Sequence, residues 1–207
     1  ADLINRHVYG GSAVRIMIFI PYIASVVAVC TVWQVMLQPS YGPVNEFLHT
    51  IGIENPPKWL VDQKWALVAI MMINIWTQIG YYVAVYMSGL KNIPIDLYEA
   101  AQIDGANRWK RLIYITLPAL ANTIITVFIL NLAKVMNLFE SVFVTMNNAV
   151  LDVAEVLQTY VYRKTFSSGN SDYGYTTAVG LFKSFVGMIL VLSCNYASKK
   201  VRGRGIV

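Results

Sequence analysis

The chain is 207 residues long, 57% hydrophobic and only 13% charged, with a formal net charge of +5. The apolar share exceeds that of ordinary soluble domains and the charged share is about half theirs, which excludes that class and indicates a polytopic membrane protein. The positive charge does not indicate nucleic acid, because the basic residues stand at the ends of apolar runs and not along one face between aromatic platforms.

The first apolar run, residues 14–37, is about 24 residues and predicts a helix able to cross a hydrocarbon core of about 30 Å. Arg6 precedes it and Arg15 stands at its start, Pro21 interrupts its first half, and Trp33 stands near its far end, where an indole suits the interface. Residues 38–64 carry Pro39, Gly42, Pro43, Pro56 and Pro57 and read as an extramembrane loop, with Phe47-Leu48-His49-Thr50-Ile51 as a short helix inside it. A second span covers residues 65–87. A third covers 118–139, with Pro118 in its first turn, where a missing N–H costs nothing. Residues 152–166 predict an amphipathic helix, 167–172 a loop, and 175–196 a fourth span.

Between the second and third spans lies a polar, helix-favouring segment. Pro94 stands where a helix can begin, with Asp96 and Glu99 near the positive end of its dipole. Gly105 supplies positive φ for a turn, and Asn107 can cap a second short helix. A loop built this rigidly predicts a docking surface.

Orientation follows from the basic residues. Arg6, Arg15, Lys91, Arg108, Lys110, Arg111, Lys199, Lys200, Arg202 and Arg204 fall on one side, against Lys58, Lys64, Arg163 and Lys164 on the other. Both ends and the docking loop are expected to be cytoplasmic.

The order Glu99-Ala100-Ala101, three residues, Gly105, nine residues, Ile115, one residue, Leu117-Pro118 resembles the EAA loop of binding-protein-dependent ABC importer permeases. All fixed positions of that pattern are met, with Asp104 and Ala106 flanking the glycine, and the resemblance extends over nearly the whole chain, closest to the carbohydrate-uptake branch. It implies an all-α, polytopic type I importer core of about four spans, with residues 1–207 as one transmembrane permease domain and residues 89–117 as its cytoplasmic coupling loop. Ala1-Asp2-Leu3-Ile4-Asn5-Arg6 resembles the inner end of a family helix, so an N-terminally truncated domain is expected. The implied partners are a second homologous permease subunit, an ATP-binding cassette ATPase dimer that binds the ATP and Mg, an extracytoplasmic solute-binding protein, a sugar and membrane lipid. The implied location is the bacterial inner membrane.

Polar groups inside spans are costly unless they face protein or a water-filled path. In the second span Asn74, Thr77, Gln78 and Tyr81 fall within an arc of about 100°, and in the third Thr123, Thr126, Lys134 and Asn137 within about 80°, with Asn131 on the flank. Asn74, Tyr81 and Asn137 match sugar-contacting positions of maltose-type permeases, while Gln78 and Lys134 replace different residues there. The expected substrate path is therefore Asn74, Thr77, Gln78, Tyr81, Lys134 and Asn137. Lys134 has two readings: a contact for an acidic oligosaccharide, or a lysine that snorkels outward or pairs with Glu140. Lys183 reads as structural or snorkelling. That part of the fourth span looks like permeases for oligosaccharides released from polysaccharides.

No Gly-x-x-x-x-Gly-Lys-Ser/Thr run, histidine pair, Gly-x-Ser-x-Gly elbow or cysteine cluster occurs, so an enzyme reading has no residues to stand on. Cys30 and Cys194 read as small apolar residues, and His7 and His49 receive no role. Beside the sugar importer stand two alternatives, a permease for another solute such as an amino acid or phosphate, and a non-transporting scaffold that keeps the docking loop.

Overall fold

The computed structural model describes residues 11–167 and 172–202. The Ala1–Arg6 resemblance, His7, Arg204 and most of the loop expected after residue 167 lie outside the described residues. Every regular element among the described residues is helical.

The expected first span is two helices, α1 (Gly11–Ile23) and α2 (Val26–Met36), bent by 99°. Pro21 is accommodated inside α1, and the chain turns only at Ser25, whose ψ of 127° is extended. The bend follows from packing. α1 lies along the later half of α4 (Gln63–Lys91), where Gly80 leaves no room for a side chain: a Cβ there would stand 2.5 Å from the Ile18 carbonyl oxygen. α2 instead turns to α8 (Glu140–Thr145), with Gln34 Nε2 donating to the Val144 carbonyl at 2.6 Å. Between them, α3 (Pro43–Thr50) begins on its proline, and its buried Asn45 accepts from Trp59 Nε1 at 2.7 Å.

α4 has 29 residues, so at 1.5 Å per residue it runs about 44 Å, longer than a hydrocarbon core of about 30 Å. Asp62 caps it through Lys64 N at 3.0 Å. α5 (Ile95–Ile103) follows as a separate short helix.

The second half of the docking segment differs from expectation. α6 (Arg108–Arg111), a π-helical turn (Leu112–Thr116) and α7 (Leu117–Val135) form one 28-residue rod, so the helix that Asn107 caps is the first part of the third span and not a separate short one. The wide turn sits just before Pro118, whose ring cannot donate to and crowds the carbonyl four residues back. α7 ends at Val135, short of residue 139, and the chain unwinds before α8.

The amphipathic helix expected over 152–166 is also broken. α9 (Leu151–Ala154) and α10 (Leu157–Tyr162) are separated at Glu155 and extended Val156, and a second π-helical turn, Arg163–Ser167, follows. Glu155 faces Arg163 through two hydrogen bonds of 2.7 and 2.8 Å, and Val156 N donates to Thr159 Oγ1 at 3.0 Å. These contacts pair polar groups at the break. α11 (Tyr173–Arg202) is the last span.

Residues of α2, α4, α8 and α9 form the core, with Cys30, Ala66, Ala69, Ile73 and Val150 almost fully enclosed. Small residues on α4 let its neighbours approach closely, which favours van der Waals packing where lipid supplies no hydrophobic drive. Cys194 is half-buried on α11.

Candidate functional site

Two places bring the sequence-predicted residues together. The first is the loop after α4. α5 ends in a Schellman turn: Ala106 N donates to the Ala101 carbonyl at 2.9 Å and Gly105 N to the Gln102 carbonyl at 3.1 Å, while Gly105 adopts φ +73°. Nothing lies within 4 Å of where a Gly105 Cβ would be, so backbone conformation and not space selects glycine. Asn107 Oδ1 accepts from Lys110 N at 2.9 Å and starts α6.

Glu99, Ala100 and Asp104 are exposed, as are Ile103 at 88% and Trp109 at 70%. An acidic group beside uncovered large apolar side chains is a surface suited to a protein partner. Ala101, Ala106 and Ile115 are half-buried, and Leu117 and Pro118 are exposed at the wide turn. Two side-chain contacts join this helix to the rod: Tyr98 Oη meets Thr116 Oγ1 at 2.9 Å, and Arg111 Nη1 donates to Gln102 Oε1 at 3.4 Å.

The second place is a cavity of about 570 Å³ between α1, α4 and α7. Asn74, Gln78, Lys134 and Asn137 all line it, so two polar stripes expected from helical spacing do face each other. Asn131, expected on the flank, and Tyr22 and Tyr82 line it as well. Two expected path residues are placed differently. Thr77 is buried in the packing, its hydroxyl returned to the Asn74 carbonyl at 2.9 Å, and it is not a wall residue. Tyr81 stands behind the wall, its ring 5.3 Å from that of Tyr22 and 5.5 Å from the Lys134 ammonium. Thr126 bonds back to the Asn122 carbonyl at 2.9 Å.

The three asparagines share one arrangement. Each side-chain nitrogen donates to the carbonyl four residues earlier, at 2.9 Å for Asn74, 2.7 Å for Asn131 and 3.2 Å for Asn137. Each oxygen accepts from another segment: Asn74 from Ser141 at 2.9 Å, Asn131 from Tyr82, and Asn137 from Lys183 at 2.9 Å. Sequence spacing had no means of revealing the Tyr82 and Lys183 contacts, because both cross between helices. Outside the spans, the Glu155 hydrogen bond raises the Arg163 guanidinium above its usual pKa.

Residues 4–203 match the family of binding-protein-dependent transport system inner membrane components. The chain belongs to that family. Among the described residues three helices are long and apolar enough to cross a membrane, and the bent α1–α2 pair is a candidate fourth span. Permeases of this family have no catalytic activity of their own. This permease is 35% identical over 194 residues to Protein LplB of Bacillus subtilis and 34% identical to the polygalacturonan/rhamnogalacturonan transport system permease protein YteP of the same organism. Each match covers 93% of this chain and 60% of the relative, so the chain spans about 60% of those relatives' length. Among solved structures, a chain of a bacterial alginate ABC transporter, in complex with an alginate pentasaccharide-bound periplasmic protein, superposes with a TM-score of 0.91 at 31% identity. That match covers 99% of this chain and 71% of the other. The all-helical permease fold expected from the sequence is the fold observed.

Proposed function

We propose that this chain forms part of the translocation path of an ATP-driven importer for oligosaccharides, and that its cargo carries uronic acid. Donors and acceptors suited to a sugar come from Gln78, the three asparagines and the cavity tyrosines. The observation that carries the acidic reading is Lys134, which lines the same cavity and whose ammonium lies 5.5 Å from the Tyr81 ring centre. A neutral sugar has no need of a cation there, whereas a carboxylate offsets the ammonium's desolvation. The names of two relatives are consistent with this: one transports polygalacturonan and rhamnogalacturonan, the other alginate.

ATP and Mg are bound by a separate ATPase dimer that docks on the Glu99–Gly105 surface, here with both ends of the described chain on the cytoplasmic side. A second permease subunit completes the path, and an extracytoplasmic binding protein delivers cargo to the outer loops. ATP-driven closure of the ATPases moves α5, and with it the α7 rod, to swing the cavity between its two openings.

The test is ATP hydrolysis by the assembled importer in proteoliposomes, stimulated by oligogalacturonides or alginate oligosaccharides and by their carboxyl-reduced forms. Lys134→Gln is expected to abolish the response to the acidic forms alone. An equal response to both forms before and after the substitution excludes acidic cargo, and no response to any solute indicates a scaffold.

A further inference from the structure

Lys183 lies well inside α11, where a charged side chain is expensive unless it is paired or faces water. Its ammonium is held by two amide oxygens, Gln158 Oε1 of α10 at 2.7 Å and Asn137 Oδ1 at 2.9 Å. Snorkelling therefore does not describe it. Asn137 lines the cavity three residues beyond Lys134, so the contact reaches the cavity wall from a helix that is not part of that wall.

An amide has one oxygen and one NH2 group to present. With its oxygen held by an ammonium, Asn137 has a weaker acceptor left for a sugar hydroxyl, and the same polarisation makes its remaining N–H a stronger donor. The cavity wall near Lys134 thus offers donors, which a carboxylate can use and a hydroxymethyl group uses poorly.

We infer that Lys183 is a positioning residue for the cargo cavity: by holding the Asn137 amide oxygen from α11, it sets a donor wall that favours carboxylate-bearing oligosaccharides over their neutral counterparts. The inference rests on the acidic-cargo reading above and adds a residue outside the cavity that determines its selectivity. Gln158 holds the ammonium from the other side, so the outer segment between α7 and α11 is tied to the same contact.

The experiment measures equilibrium binding of an oligogalacturonide and its carboxyl-reduced form to the assembled permease–ATPase complex without its binding protein. It is paired with the half-saturating concentration and maximal rate of ATPase stimulation in the complete importer. Lys183→Met is expected to weaken acidic binding by about tenfold, the scale of one charge-assisted hydrogen bond, with neutral binding unchanged or tighter and maximal rate nearly unchanged. Lys183→Arg should restore most of the preference. Gln158→Glu, which draws the ammonium away from Asn137 without emptying the site, should also reduce the preference, and it decides the matter if Lys183→Met fails to assemble. An unchanged acidic-to-neutral ratio in these variants, or a uniform loss of both, overturns the positioning role while leaving the acidic reading standing. A wild-type complex that does not prefer the acidic form overturns both.

Discussion

Tyr98 on α5 and Thr116 in the π-helical turn share a hydrogen bond of 2.9 Å between their hydroxyls. It joins the docking helix to the head of the α7 rod, and Thr116 is buried at 4% exposure while its hydroxyl also reaches the Arg111 carbonyl at 3.4 Å. The bond ties α5 to the rod that carries Asn131 and Lys134 near its far end.

Tyr98→Phe should remove that link at a cost of about 1 kcal/mol in stability, because Thr116 keeps its second partner. The measurable effect is on coupling: sugar taken up per ATP hydrolysed should fall several-fold in proteoliposomes while basal hydrolysis persists. Unchanged stoichiometry would assign the contact to stability alone.

Gly105 offers a cleaner test of conformation. Valine at φ +73° carries strain of about 1–3 kcal/mol, whereas asparagine tolerates that region, and open space around the position removes any steric difference between them. Gly105→Val should uncouple uptake from ATP hydrolysis and Gly105→Asn should retain most of it. Glu99→Lys, which reverses charge on the exposed face, should weaken co-purification of the ATPase without altering membrane insertion.

The conformation of the loop between α4 and α7 was legible because its signals are local. A proline start, a glycine stop and an asparagine cap act within a few residues, and each is found where spacing put it. The spans were legible as lengths but not as shapes, since the bend after Ile23 is set by Gly80 receiving the α1 backbone, a contact between residues far apart in sequence. Helical arithmetic put Asn74 with Gln78 on one stripe of the second span and Lys134 with Asn137 on one stripe of the third, and all four line one cavity, although Asn137 stands past the last turn of α7. It also counted Thr77 as path, because angle alone does not distinguish a wall from a packed interface that starts one residue away. Lys183 was invisible as a cavity neighbour for the same reason as the bend: its partners are supplied by other helices.

The close approach at Gly80 predicts that Gly80→Leu displaces α1, since even a Cβ would stand 2.9 Å from Phe19 Cα. Overpacking of this kind costs about 1–3 kcal/mol, and here it also moves Tyr22 out of the cavity wall. Thermal unfolding of the purified complex should shift down, and cargo stimulation should fall more than basal hydrolysis.

Topology is testable without a known cargo. In a background with Cys30 and Cys194 replaced by alanine, a cysteine at exposed Glu54 should react with an impermeant thiol reagent in intact cells, and one at exposed Asp104 only after the membrane is opened. The reverse pattern would place the docking loop outside and remove any role for it with an intracellular ATPase.

Tyr81 separates two accounts of the cavity. As a sugar ligand it would act through its hydroxyl. Its place behind the wall, with Lys134 Nζ 5.5 Å from its ring centre and the rings of Tyr22 and Tyr82 at 5.3 and 5.4 Å, indicates instead that the ring face holds the ammonium. Phenylalanine keeps that face and leucine does not, and the cation–π contact is worth about 0.5–2 kcal/mol depending on how dry the site is. Tyr81→Phe should therefore respond to acidic oligosaccharides much as wild type does, while Tyr81→Leu should need a concentration about twofold to thirtyfold higher for half-maximal ATPase stimulation. Equal defects in both variants would make the hydroxyl the working group and return Tyr81 to direct contact with the cargo.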